Sequence, residues 1–348
     1  MEAAAAAGQI PIAWLARLER SFAHQLLDPH AKPTREIRDE LAAATAALEE
    51  AGDEAGLATV WRRRAEIEWM PCRFDTAAEA ADRAVDHARR AGERPLLVHA
   101  MGIRSAAEMF GTMRPDQMLA SLEAAAEEIG QEGLFGHMAL VHRSVIAAMK
   151  RDLDRARRLS DDAIALGERM GVGFFVAVSY EFRGDFEVQT GDAVAAERAF
   201  RKQYQILDRL GDEGHKSYAA GGLANALCAL GRVDEAETFA REAVGAAAED
   251  DVSSQASGRS ALAAVHSLRG QHEEAIRRAR EAAEMFARAE SPNFQGDMTM
   301  TLARVLSAAD QTAEAADAAR AALASYERKG NELAAESARV FIASLPVG

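Results

Sequence analysis

The sequence predicts an all-α fold, an α-α superhelix of about eight helical hairpins closed by a C-terminal capping helix. Alanine, leucine, glutamate and arginine dominate its 348 residues, whereas aromatic residues make up 6% and prolines number 8. This composition favours helices over strands. The hydrophobic content of 49% is ample for a continuous core, and no segment alternates between apolar and polar residues as a strand would.

A repeating unit of about forty residues is the second observation behind this fold class. When the segment GRVDEAE at 231–237 sets the register, a small or apolar residue recurs every 38 to 41 residues, and a glycine or a short polar turn precedes each copy. Unrelated helices would not keep such a period, which is typical of solenoids. The eight marker positions are Ile37, Ala77, Met118, Ala156, Ala196, Ala236, Ala275 and Ala315.

Small residues dominate the faces on which the hairpins are predicted to stack. In one clear copy the second helix carries Ala236, Ala240 and Ala243, at the spacings of three and four that share a helix face. Because alanine buries little area, such helices must pack closely and in large number to build a core.

The predicted boundaries follow from this stacking. Residues 1–52 are expected to form a degenerate N-terminal hairpin, residues 53–331 the repeat array, and residues 332–348 the capping helix and tail. In the capping helix, Leu333, Val340 and Phe341 are expected to face inward with Ser337 on the same face. The first helix is unusually apolar, so we expect it to pack against another copy of the chain, a partner or an upstream domain. Its apolar residues are Ile12, Trp14, Leu15, Leu18, Phe22 and Leu26.

Charge and cysteine content limit the partners and the compartment. The net charge of -14 disfavours nucleic acid and anionic membranes as partners, although a basic partner is compatible with it. Cys72 and Cys228 are far apart in the sequence, which argues against a disulfide framework and favours a reducing compartment. No run approaches the roughly 20 apolar residues needed to span a bilayer. A soluble cytoplasmic protein is predicted.

The small residues, turn glycines and paired helices resemble a tetratricopeptide repeat array whose unit is lengthened from 34 to about 40 residues. The large aromatic near the start of the first helix and the proline that closes the second are mostly missing. Residues 191–282 and the segment SYERKGN at 325–331 resemble the C-terminal repeat region of actinobacterial signalling regulators. In those proteins a nucleotide cyclase or helix-turn-helix domain, together with an ATPase module, precedes the array. We expect this chain to be the repeat part alone.

The resemblance implies a concave groove, lined by the first helices, that takes peptides or partner helices. On this surface it places Tyr218, Asn225 and Arg304. Independently, Glu181 and Asp185 are four residues apart and share a helix face. They could hold a cationic ligand or a basic peptide, unless an arginine neutralises them. The two arginines considered for that role are Arg183 and Arg143.

Two other features of this region leave alternatives open. Gly221 and Gly222 lie inside a predicted helix, where glycine is unfavourable, so another helix or a ligand should approach them closely. A cluster of aromatic residues either fills the core or lines a hydrophobic site. Its members are Phe174, Phe175, Tyr180, Phe182 and Phe186.

The sequence lacks the common motifs of catalysis. It contains no GxxxxGK[ST] phosphate loop, no HExxH and no CxxC, and its 9 histidines are scattered. No catalytic residue, metal site or cofactor is predicted. The sequence therefore predicts a non-catalytic interaction scaffold of a bacterial regulator that binds a protein or peptide in its groove. The alternative is a sensor in which a small molecule inside the superhelix shifts it between two shapes.

Overall fold

The computed structural model describes residues 10–27, 34–69, 71–247 and 251–346. Within these ranges the chain forms helices and turns without a strand, and none of the helices combines the length and apolar content needed to cross a bilayer. The helices are α1 (Ile10–Leu27), α2 (Thr34–Ala51), α3 (Glu54–Ile67), α4 (Phe74–Ala91), α5 (Arg94–Phe110), α6 (Pro115–Ile129), α7 (Gly133–Met149), α8 (Leu153–Met170), α9 (Gly173–Thr190), α10 (Ala193–Leu210), α11 (Glu213–Ala229), α12 (Val233–Ala246), α13 (Val252–Leu268), α14 (His272–Phe286), α15 (Pro292–Ala308), α16 (Thr312–Lys329) and α17 (Glu332–Ser344).

Consecutive helices pair into eight hairpins, each an odd-numbered first helix followed by an even-numbered second helix. Gly231, between α11 and α12, has a φ of 72° and makes the left-handed turn that reverses the chain. Cys72, Arg151 and Asp310 adopt the same conformation in other hairpin turns, with φ values of 53°, 65° and 59°. The turn geometry of the repeat therefore persists where its glycine is missing.

The second helices build the core with the predicted small residues. All eight marker positions are buried, with exposed fractions between 0% and 4%. Ala236, Ala240 and Ala243 are each 0% exposed on the inward face of α12. Because a methyl side chain fills little space, neighbouring helices pack closely along this face. The all-α superhelix predicted from the repeat is thereby confirmed.

Phe200 of α10 fits between two first helices at the middle of the array. A Cβ atom added to Gly184 of α9 would lie 2.7 Å from its ring, and one added to Gly222 of α11 would also lie 2.7 Å away. Gly221 faces the next hairpin, where a Cβ would lie 2.4 Å from Oγ of Ser257 on α13. Close approach of neighbouring helices, one of the two explanations expected for this glycine pair, is confirmed.

The array also closes on itself, which the repeat pattern did not predict. Residues 69–114 contact residues 286–331, and we call this contact the seam. At its centre the Phe110 and Phe294 rings stack with centroids 5.6 Å apart, and Phe74 lies 6.3 Å from Phe294. The backbone N–H of Glu290 donates to the carbonyl of Cys72 at 2.9 Å. The hairpins from α3 onward therefore form a ring around a central space.

The C-terminal helix α17 packs on α16, as expected for a capping helix, and also contacts α7 and α9 inside the ring. Leu333 is 8% exposed and contacts Ala147 of α7 and Phe186 of α9. The inward orientation expected for Val340 is wrong, because this side chain is 61% exposed. Phe341 is partly buried against α15 and α16. The buried face of α17 consists mainly of small residues, namely Ala334, Ala335 and Ala338.

The apolar face of α1 is largely used within the chain. Leu18 and Phe22 are 1% and 7% exposed and pack with α2 and α3, and Trp14 and Leu15 are packed against the same cluster. Ile12 is 59% exposed. The side chain of Leu26 lies outside the described residues. Most of the surface that we expected to meet another molecule therefore packs against α2 and α3 instead.

Candidate ligand cavity at the centre of the ring

A cavity of about 530 Å³ lies at the centre of the ring. First helices from α5 to α15 and the first half of α17 form most of its wall, and the second helices contribute Ala193, Phe200, Phe286 and Tyr326. The lining is mostly apolar and rich in aromatic and methionine side chains, with a few polar groups among them. Sites for small molecules typically have this composition and a volume of roughly 300–1,000 Å³.

The repeat register explains which residues reach the cavity. Asp185, Asn225, Ala264 and Arg304 follow each other at intervals of 40, 39 and 40 residues, and all four line the wall. A second equivalent set lies seven residues earlier, two helical turns away along the same face, and also lines the wall. This second set is Tyr218, Ser257 and Asp297.

The structure brings the predicted site residues together. Asp185, Tyr218, Asn225 and Arg304 line the cavity, and Glu181 lies one turn before Asp185 on α9. Whether these residues bind a ligand stays a prediction. The sequence analysis did not identify three further lining residues, which are Asp297, Tyr326 and Asn331.

Glu181 and Asp185 carry carboxyl groups in an unfavourable environment. Burial raises the pKa of Glu181 to about 7, although His215 and a hydrogen bond act to lower it. That bond is donated by Nε2 of Gln203 to Oε2 of Glu181 at 2.8 Å. Burial also raises the pKa of Asp185 well above its usual value, and the carboxylates of Glu181 and Asp297 raise it further. Like charges crowded in a low-dielectric space hold protons in this way.

Asp297 on α15 completes the group of carboxyls. Burial raises its pKa to about 6, while a hydrogen bond from Tyr326 and the charge of Arg304 act in the opposite direction. The Tyr326 hydroxyl donates to Oδ1 of Asp297 at 2.7 Å. Burial, followed by the charges of Asp185 and the other two carboxylates, raises the pKa of Tyr218 well above its usual value. Tyr218 therefore keeps its proton at neutral pH and offers a hydrogen-bond donor.

Neither arginine considered from the sequence neutralises Glu181 and Asp185, so that expectation is wrong. Among the described residues, no lysine or arginine forms an ion pair with either carboxylate. Arg183 is instead held by a closer acidic partner at the favourable spacing of four, and Arg143 points to an amide. The partners of the two arginines are Glu187 at 2.9 Å, Asp161 at 3.2 Å and Gln131 at 3.0 Å.

The aromatic cluster on α9 divides between the two roles considered for it. Phe182 and Phe186 are 7% and 4% exposed, pack in the core and present part of their surface to the cavity. The other three do not line the cavity, namely Phe174, Phe175 and Tyr180.

The two cysteines are buried and carry free thiols. Burial raises the pKa of both Cys72 and Cys228 to about 12, so neither is a thiolate at neutral pH. Within the described ranges, no group of three or more histidine, cysteine or carboxylate side chains is placed to hold a metal ion.

Comparisons with known proteins agree with this architecture. A tetratricopeptide repeat family profile matches residues 218–247. The fold is similar to the crystal structure of a Signal Transduction ATPase with Numerous Domains protein with a tetratricopeptide repeat sensor from Pyrococcus horikoshii, with a TM-score of 0.52 and 11% identity. The alignment covers 91% of this chain and 53% of that chain, so this chain spans about half its length.

A second crystal structure, of the APC/C hetero-tetramer Cut9–Hcn1, aligns with a TM-score of 0.46 and 13% identity, over 86% of this chain and 59% of that one. No curated protein matches the sequence. The chain folds as a tetratricopeptide-like array. At 11% identity, the similarity to the Pyrococcus horikoshii structure concerns the fold alone.

Proposed function

We propose that this chain is a non-catalytic regulatory scaffold whose central cavity binds a small ligand that carries a positive charge. Tetratricopeptide-like arrays are built as interaction scaffolds. The observation that carries the finer proposal is the cavity itself, because ring closure leaves a space of about 530 Å³ that is lined by the carboxyl groups of Asp185 and Asp297, with Glu181 one turn away on α9. That volume suits a small molecule better than an extended peptide. The proposal thus favours the sensor alternative raised by the sequence.

The chemistry of the wall supports an organic cation as the occupant. Burial raises the pKa of Glu181, Asp185 and Asp297, and for Asp185 repulsion by the other two carboxylates raises it further. A bound ammonium or guanidinium group would relieve that repulsion and stabilise the ionised carboxylates. Phe182 and Tyr218 line the same wall, and aromatic rings attract cations through their quadrupoles. Binding of such a ligand therefore releases protons.

A short peptide that inserts its N-terminal amine is the second candidate occupant. The observation in its favour is that every first helix from α5 to α15 contributes to the lining, so a peptide would find contacts around the whole wall. The amine would meet the same carboxyl groups as a small cation. A peptide ligand would also agree with the groove-binding role implied by the repeat resemblance.

The regulatory part of the proposal requires a protein partner. A ligand that binds one ring shape better than another shifts the population toward that shape, and a partner on the outer surface senses the change. The Pyrococcus horikoshii protein carries a tetratricopeptide repeat sensor, which supports this part of the proposal. The protein partner, the cytoplasmic location and self-association through α1 stay predictions.

Calorimetry with matched ligands tests the proposal. A panel of aliphatic and aromatic amines is compared with alcohols of equal size, and peptides with a free N-terminus are compared with the acetylated forms. We expect the cationic members to bind, and Asp185→Asn with Asp297→Asn to weaken binding by at least tenfold. Asp161→Asn is the control, because Asp161 lies on α8 outside the lining. Equal binding of amines and alcohols, or an unchanged affinity in the double variant, would contradict the proposal.

A further inference from the structure

The turn at residues 329–331 contacts three distant parts of the ring. Lys329, Gly330 and Asn331 connect α16 to α17, and each meets a residue more than a hundred positions away. We propose that this turn is a latch that holds the ring closed, and that its release opens the central cavity. The device goes beyond the proposed function, because it concerns access to the cavity and not the chemistry of the occupant.

Lys329 reaches across the seam to the end of α5. Its side chain is fully buried, and Nζ donates to the carbonyl oxygens of Glu108 at 3.2 Å and Gly111 at 2.6 Å. Carbonyls at the end of a helix have no partner within that helix and carry its negative dipole. Lys329 therefore caps a helix that precedes it by more than two hundred residues.

Arg114 makes the reciprocal contact. Arg114 is the N-cap residue of α6. Its Nη1 donates to the carbonyls of Glu327 at 3.1 Å and Arg328 at 3.4 Å, in the last turn of α16. A Cβ on Gly330 would lie 3.1 Å from the Arg114 guanidinium, so the turn and this side chain are in close contact. Each side of the seam thus caps the helix end of the other.

Asn331 connects the latch to the cavity wall. It is 1% exposed, and Nδ2 donates to Oε1 of Gln189 at 3.3 Å and to Oδ1 of Asn293 at 3.1 Å. Its own Oδ1 accepts from the backbone N–H of Ala334 at 3.1 Å and so begins α17. Since Gln189, Asn293 and Asn331 all line the cavity, opening of the turn would disrupt the wall.

The interactions that stabilise this end of the seam differ from those between neighbouring hairpins. Neighbouring hairpins share buried alanine faces, whose attraction does not depend on charge. At this end of the seam, hydrogen bonds from Lys329 and Arg114 to backbone carbonyls make much of the contact, and those of Lys329 are buried. Removal of the donor from such a bond destabilises the contact, because the carbonyls left behind stay unsatisfied. The latch is therefore the point at which a local change opens the ring without unfolding the hairpins.

Protonation of Lys329 is expected to weaken its contact with the end of α5. Burial lowers the pKa of Lys329 to about 7, and the carboxylates that face it, Asp75 on α4 and Glu108 on α5, oppose this shift. The guanidinium of Arg114 lies at the same turn. Because the ammonium regains its usual pKa when exposed, opening takes up a proton between about pH 7 and pH 10. Closure therefore weakens as the pH falls toward 7.

Cysteine labelling of the full chain tests the latch. Cys72 lies at the seam and Cys228 lines the cavity, and both are buried. We expect Lys329→Met to raise the rate of maleimide labelling at both cysteines by at least tenfold, while far-UV circular dichroism stays unchanged. Lys216→Met is the control, because Lys216 is also largely buried but pairs with Asp208 and Glu213 within its own hairpin junction. Labelling as slow as in the unmutated chain would overturn the latch.

Hydrogen exchange of the unmutated chain provides the second measurement if Lys329→Met fails to fold. Protection factors for amides near the end of α5 are compared with those of α11, at pH 6 and pH 8 and without any ligand. We expect the α5 amides to be at least tenfold less protected at pH 6 and to regain protection at pH 8. Equal protection of the two helices at both pH values would overturn the latch. Neither measurement depends on the identity of the cavity ligand.

Discussion

Glu290 caps helix α4 although 214 residues separate it from Thr76 in that helix. Its carboxylate accepts hydrogen bonds from the backbone N–H of Thr76 at 2.8 Å and from the Thr76 hydroxyl at 2.9 Å. Arg73, the residue at the N-cap position of α4, makes no side-chain capping bond. The start of α4 therefore obtains its cap from the opposite side of the seam.

We predict that removal of this distant cap destabilises the folded chain. Glu290→Ala leaves the amide of Thr76 without its acceptor and should reduce the free energy of unfolding by about 1–3 kcal/mol. Urea denaturation measures the difference. Glu314→Ala is the control, because its ion pair with Arg280 is exposed and should contribute at most about 1 kcal/mol. Equal losses of stability in the two variants would show that Glu290 contributes no more than an exposed ion pair.

The second prediction concerns the glycines around Phe200. Gly184→Ala and Gly222→Ala each place a methyl group against the Phe200 ring and should cost about 1–3 kcal/mol of stability. Gly245→Ala is the matched control, because a Cβ there meets nothing within 4 Å and alanine favours the helix by up to about 1 kcal/mol. Thermal unfolding of the three variants checks the opposite signs. Stabilisation by either of the first two would show that Phe200 moves freely.

The third prediction is a pH dependence of stability. The pKa values of Glu181 and Asp297, about 7 and about 6, lie above the usual 4.5 and 3.8. The folded chain therefore binds more protons than the unfolded chain between about pH 4 and pH 7, so these groups make the free energy of unfolding fall as the pH rises through that window. Above about pH 7 the stabilisation that they provide in acid is lost.

Urea denaturation across this pH range checks the sign. The double variant Glu181→Gln and Asp297→Asn should show a flatter dependence than the unmutated chain, since its amides do not titrate. Asp161→Asn, at an exposed position, should leave the slope as it was. An unaltered slope in the double variant would refute the prediction.

The fourth prediction separates the two faces of α17. Leu333→Ala should cost about 2–4 kcal/mol, because Leu333 is buried among α7, α8 and α9. Val340→Ala should change stability by less than about 0.5 kcal/mol, because Val340 is largely exposed. Chemical denaturation compares the two variants. A larger loss at Val340 would restore the inward orientation that the sequence suggested.

The hairpins could be predicted from the sequence because the same physical requirement recurs in each of them. A small residue is needed wherever two helices approach closely, so Ala236 and its equivalents are visible as a period. The same register places Asp185 and Tyr218 on the inner wall. It would also have identified Asp297, which lies 79 residues after Tyr218 in an equivalent first helix.

The seam could not be predicted from the period, because the side chains that form it do not recur at the equivalent positions of the other repeats. Lys329 is a single lysine near a helix end, where exposure to solvent is the ordinary expectation. Its burial depends on the curvature that brings α5 to α16. The neutralising role considered for Arg183 was wrong for a local reason: Glu187 lies one turn further along α9 and competes for the same guanidinium. Sequence spacing alone did not rank these partners.

Phe200 has a consequence for the shape of the whole ring. Its benzene ring separates α9 from α11 at the middle of the array, so the thickness of one side chain sets the angle between two successive hairpins. An angular change at this midpoint is magnified along both arms and moves the two edges that must meet. A larger or smaller residue at 200 would therefore change the curvature of the ring so that the two sides of the seam no longer meet, even though position 200 lies far from the seam.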